Sequence, residues 1–141
     1  MGLRHYWAFS RPLAESERDD VISLFKLLAG QLPGQELNPA RALVDAQVKL
    51  SDISCTDVGI SFGYGEDDFA MRWVERQEQA CMANGDAYDA VILAILMMTR
   101  AATNRSFEFG SDISDGSFLW RAAQAIASQI LFQLQRMKFI N

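Results

Sequence analysis

The sequence predicts an α+β fold: a two-layer sandwich of about four to five mainly antiparallel strands packed against about three helices. Three observations carry this. Ala90 to Met98 is an unbroken run of nine apolar residues, so a helix there has no wet side and must be covered all round. It falls well short of the ~20 residues needed to span a bilayer. Val58-Gly-Ile60-Ser-Phe62 and Phe69-Ala-Met71-Arg-Trp73 alternate with period two, as half-buried antiparallel strands do. Leu119, Ala122, Ala123, Ile126, Ile130, Leu134 and Met137 form one apolar stripe, which marks a helix laid on a core.

Each element follows in order. Residues 4–9 are aromatic-rich and short, which favours a buried strand; Pro12 closes it. Ser16 suits a helix N-cap, with Asp19 three residues on. Val21, Leu24, Phe25 and Leu28 then fall at i, i+3, i+4 and i+7, and Gly30 is the expected stop. Residues 31–41 read as a loop. Ala46, Val48 and Leu50 alternate and predict a strand, followed by a turn over Asp52–Asp57. Val58–Phe62 is its partner strand, Gly63–Asp68 a second turn, and Phe69–Trp73 the next strand. A helix starting near Asp68 is the alternative. Residues 75–84 are polar and helix-compatible, and Asn84-Gly85 breaks them. Asp86 caps the central helix, expected near 87–103, with Asp89 in its first turn and Arg100 near its other end, both favourable to the helix dipole. Ser106–Gly110 reads as the last strand. Ser114-Asp115-Gly116-Ser117 turns the chain into the final helix, whose polar face holds glutamines, Arg121, Arg136 and Lys138 but no acid. Residues 1–141 read as a single domain, with no internal repeat or linker.

With 141 residues, half of them hydrophobic, the chain can bury a core without disulfides or metal. Its formal charge is -5, which disfavours nucleic acid, whose phosphates want clustered Lys and Arg, and suits a basic protein partner. The N-terminus has neither an apolar signal region nor a myristoylation pattern, since Tyr6 stands where Ser or Thr would be needed. Cys55 and Cys81 read as small core residues of a reducing compartment. The expected location is cytoplasmic, with no membrane association.

No constellation announces catalysis. His5 is the single histidine. A zinc site would need it joined by both cysteines and a carboxylate from distant segments, and a Cys–His or Ser–His–Asp arrangement would need the same His5. Asp112-Ile-Ser114-Asp115-Gly116 lacks the spacing of a calcium loop. Gly63-Tyr-Gly65 is followed directly by three acids, which repel phosphate. Asp67, Asp68, Asp89, Asp112 and Asp115 are explained by caps and turns. No catalytic, cofactor-binding or metal-ligating residue is therefore assigned.

Gly65-Glu66-Asp67, Cys81, Tyr88-Asp89, Ser114-Asp115-Gly116 and Trp120 together resemble the pattern of a group of short bacterial proteins with no activity attached to it. The likeness covers roughly residues 58–131. It departs between Val74 and Ala87, where the spacing is longer and Ala87 stands in place of a Pro. The resemblance implies the same fold and brings no activity.

What remains is surface. The acidic knot Glu66-Asp67-Asp68 beside Tyr64, together with Asp112 and Asp115, is the expected partner-binding set. The expected function is a small acidic protein-binding module, an immunity-type inhibitor neutralising a toxin or enzyme that is basic at its site. The alternative is a small-molecule-binding protein or enzyme with a site between the sheet and the central helix, using Asp89, Arg100 and Asp115. The three tryptophans and the apolar last helix also permit a homodimer.

Overall fold

The computed structural model describes residues 3–31, 51–64, 67–83 and 87–140. Along the chain these form β1 (Leu3–Phe9), α1 (Glu15–Gln31), β2 (Ser51–Cys55), β3 (Gly59–Tyr64), β4 (Asp67–Arg72), β5 (Gln79–Ala83), α2 (Ala87–Ala102), β6 (Phe107–Ser111) and α3 (Phe118–Ile140). The class is α+β, as expected. Among the described residues six strands form two three-stranded antiparallel sheets, ordered β5-β1-β6 and β2-β3-β4.

The apolar run forms α2, and from Tyr88 to Leu96 every residue is buried. A helix with no polar stripe gains nothing from water on any side, so its neighbours enclose it. Thr99 Oγ1 donates along the helix to the Ile95 carbonyl at 2.8 Å, and Thr103 Oγ1, just past its end, donates to the Thr99 carbonyl at 2.8 Å. Asn104 and Arg105 then take positive φ and turn the chain into β6.

In β1, His5, Trp7 and Phe9 point inward and Arg4 and Tyr6 outward. Aromatic rings join the sheets beneath. Phe25 of α1 stacks on Phe62 at 5.3 Å, Phe62 on Phe69 at 4.9 Å, and Phe69 on Trp7 at 5.1 Å. Phe9 continues the line to Phe107 at 4.9 Å. Above this spine the sheets meet at one side chain. The Gln79 carboxamide accepts the Arg72 backbone N–H at 2.8 Å and donates to the Arg72 carbonyl at 3.0 Å. A side chain of β5 thus supplies the pair of bonds that a neighbouring strand would give β4.

Three expectations are corrected. The Asp52–Asp57 turn is mostly strand β2, with a bulge between Ser51 and Ser54. Asp52 sits at φ 53, so the residue that signals a turn serves the bulge instead. Residues 79–83 of the helix-compatible stretch form β5, because pairing along β1 outweighs the weak local preference. Helix α1 begins at Glu15, before the expected Ser16 cap, and runs through Gly30 to Gln31. Its start is held by Glu17, which accepts the Ala14 N–H at 3.0 Å and grips Arg11 through two contacts of 2.7 Å. The Arg11 hydrogen bonds and the Ala14 N–H hold the Glu17 carboxyl down to about 2. The loop over 31–41, the strand over 46–50, the Gly65-Glu66 part of the turn, the Asn84-Gly85 break and the Asp86 cap lie outside the described residues, apart from Gln31 itself.

Candidate functional site

Two arrangements stand out, one buried and one open. The buried one begins with His5 on β1. Its register partners are Ser111 on β6 and Cys81 on β5, so the pleat turns all three toward the helices. The first turn of α2 brings Asp89 beneath them. His5 Nε2 lies 2.6 Å from Asp89 Oδ1, and both side chains are fully buried. His5 Nδ1 lies 2.9 Å from Ser111 Oγ. Ser111 Oγ also accepts the Ile113 N–H at 3.1 Å. One proton assignment satisfies every atom: Nε2–H donates to the carboxylate, and Nδ1 accepts from the serine hydroxyl.

A hydroxyl, an imidazole and a carboxylate in line form the relay that activates a serine nucleophile. Here the imidazole has no solvent-facing edge, and both its nitrogens are occupied. A leaving group needs the histidine proton, so chemistry would require this pocket to open. In the closed arrangement the relay ties the end of β6, the start of β1 and the first turn of α2 into one knot. The Asp89 carboxylate also sits at the positive end of the α2 dipole.

The open arrangement is the outer face of β5-β1-β6. Register sets Gly110, Tyr6 and Ala80 in one row and Asp112, Arg4 and Met82 in the next. The Tyr6 ring lies directly over Gly110, where a Cβ would collide with it. Tyr6 keeps 40% and Met82 60% of its surface exposed, high values for large apolar groups. A hollow of about 410 Å3 opens beside Tyr6, on the side away from Met82, lined by Tyr6, Trp7, Ala8, Glu78, Glu108 and Phe109. Charges ring it. Arg4 bonds Glu78 at 3.3 Å and sits 5.4 Å from the centre of the Tyr6 ring. Asp112 accepts the Arg4 backbone N–H at 2.9 Å. Glu108 is exposed on β6.

Of the expected partner-binding set, Asp68 is exposed on β4, and Asp112 and Asp115 are exposed beyond β6. Strands β5 and β1 lie between β4 and β6, so the structure does not gather these acids into one knot. Tyr64 ends β3 and Asp67 begins β4; their side chains, and Glu66 altogether, lie outside the described residues. Asp115 occupies the turn that Gly116 makes at φ 80, while the α3 cap is Ser117, whose Oγ accepts the Trp120 N–H at 3.3 Å. Asp89 and Arg100 stand at opposite ends of α2, about 16 Å apart along its axis. They share no site.

Cys81, expected as a small core residue, pairs across from His5. Cys55 lies in the other sheet, and burial pushes its thiol up. No disulfide joins the two. Among the described residues no three His, Cys, Asp or Glu side chains converge as a metal site would require, and no helix is long and apolar enough to cross a membrane. Strand β5 is what reasoning from the chain alone missed, and with it the row Cys81, His5 and Ser111. The only signal available was the in–out alternation of five residues.

No protein family, curated protein or solved structure matches this chain.

Proposed function

We propose that this chain is a protein-binding module: a cytoplasmic, immunity-type inhibitor that neutralises a basic toxin or enzyme. Its helices and sheets pack as two layers, in keeping with the bacterial group it resembles. The docking surface is the outer face of β5-β1-β6. The observation that carries this is the exposed Tyr6 at the wall of a 410 Å3 hollow, with exposed Met82 further along the same face. Such a face resembles the centre of an interface, where an aromatic and a methionine anchor a partner's side chain. Glu108 and Asp112 edge it on the β6 side, and Glu78 and then Asp68 on the β5 side, against Arg4 and Arg72. A partner with clustered Lys and Arg is drawn to that edge, and the attraction acts mainly on the association rate.

The test is capture from host lysate at low salt, using the wild type and a Tyr6→Ala/Met82→Ala/Glu108→Lys variant as baits. The expected result is one basic protein held by the wild type and lost by the variant, whose own activity stops when the wild type is added. Equal capture by both baits, or a captured protein with undiminished activity, overturns the reading. Size exclusion with light scattering distinguishes it from a homodimer formed through the same face.

The relay favours a second reading, an enzyme whose site lies between the sheet and α2. Ser111 would be its nucleophile, His5 its base and Asp89 the orienting carboxylate. A serine-reactive fluorophosphonate should then label Ser111 in the wild type and fail to label it in His5→Gln. An unlabelled wild type leaves the relay as a clamp alone.

A further inference from the structure

We propose a second docking site on the helical side of the molecule: the groove between α2 and α3 seats an acidic amphipathic helix from a partner protein. Two independent features meet there. The first is shape. An open groove of about 480 Å3 is lined by Met97, Gln124, Ala125, Ala127, Ser128 and Leu131. The small side chains at 125, 127 and 128 form its floor, so large apolar knobs at i, i+3, i+4 and i+7 of another helix can settle between Met97 and Leu131.

The second is charge. The chain is acidic overall, yet α3 contains no acid, and the one acid of α2, Asp89, is buried. The exposed charges on these helices are Arg100, Arg121, Arg136 and Lys138. Asp20 of α1 takes Lys138 at 2.7 Å. Arg121 stands one turn before Ala125, and Arg136 two turns after Ser128, on the same flank of the helix. Between the last two lies Phe132, 58% exposed, with the Arg136 guanidinium 5.9 Å from its ring centre. Cations thus line one border of the trough, the complement of a helix with leucines on one side and glutamates along the facing border. An anionic bilayer would also meet these arginines, but a flat surface rides on ridges and leaves a groove empty. The concavity therefore favours a helix.

The probe is a fluorescein-labelled amphipathic peptide with leucines at i, i+3, i+4 and i+7 and glutamates elsewhere. Binding is read by anisotropy at about 0.01 M and about 0.15 M ionic strength. The expected result is saturable binding, weaker at higher salt. The doubly reversed Arg121→Glu/Arg136→Glu should weaken it at least about tenfold, and the groove-filling Ser128→Phe should weaken it at both salts. These three positions are open to solvent, so the fold tolerates the changes. Tyr6→Ala/Met82→Ala, on the other face, should bind as the wild type does, which keeps this test separate from the one above. Three outcomes overturn the proposal: no binding, equal binding of a counterpart with lysine for glutamate, or capture by anionic phospholipid vesicles without peptide binding.

Discussion

Replacing His5 by Phe removes the fully buried imidazole that donates to Asp89 while nearly preserving ring volume. Asp89 then stays in the core beneath β1, with its 2.6 Å contact to His5 gone and no water brought in. Losing a charge-assisted hydrogen bond to a buried carboxylate costs about 3 kcal/mol, because the contact no longer offsets its share of the desolvation. Domains hold only about 5–15 kcal/mol in total, so His5→Phe should lower the urea midpoint by about 2 M and Tm by about 10 °C. The revealing comparison is His5→Phe/Asp89→Leu. Two apolar groups of similar shape need no partner, so the double variant should recover more than half the loss. Urea unfolding at neutral pH followed by tryptophan fluorescence measures both. If His5→Phe lies within about 1 kcal/mol of the wild type, or if the two losses simply add, the relay does not hold the fold as described.

Other expectations can be checked in the same assay. Glu17→Gln should cost roughly 1 kcal/mol at neutral pH, a modest amount because Arg11 is open to solvent. The Glu17 carboxyl sits at about 2 when folded against 4.5 otherwise, so its contribution is complete above pH 4.5 and fades as pH falls toward 2. The wild-type and Glu17→Gln stabilities should therefore converge across that window, and a constant gap refutes the assignment. Gln79→Leu should cost about 1–3 kcal/mol, since the Arg72 N–H and carbonyl lose their partner at the seam. Gly110→Ala should displace the Tyr6 ring and cost about 1 kcal/mol. Combined with Tyr6→Ala it should cost almost nothing further, whereas additive losses would place the ring elsewhere.

Much of the architecture could be read from the chain because its signals were local. Nine apolar residues in a row can only be a buried rod, and α2 is that rod. Strands β1, β3, β4 and β6 and helix α3 sit within a few residues of their expected places, since alternation or a helical stripe marks each one. Strand β5 was illegible for a physical reason. Met82 points outward and Gln79 inward, the reverse of a simple polarity pattern, because Gln79 is needed to bond Arg72. Asp52 misled in the same way, its turn-forming tendency being used to bulge a strand. The relay could not be foreseen either. Its members stand at positions 5, 89 and 111, and only the pairing of β1 with β6 and the docking of α2 draw them together. The acidic knot was legible as charge, but charge alone could not say that Tyr6 and Met82 would both be exposed on the outer face of β5-β1-β6.

The carboxamide of Gln79 gives the outer surface a crease. On one side lie Asp68, Ala70 and Arg72, on the other Tyr6, Ala80 and Met82; Gln79 joins them through the Arg72 backbone, and just past β4 the Arg76 N–H donates to the Phe9 carbonyl at 2.7 Å. The strand ladder stops at this line and resumes on either side, so the seam carries fewer main-chain bonds than either three-stranded panel. Deamidation of Gln79, which removes its donor, would loosen the crease without touching either panel.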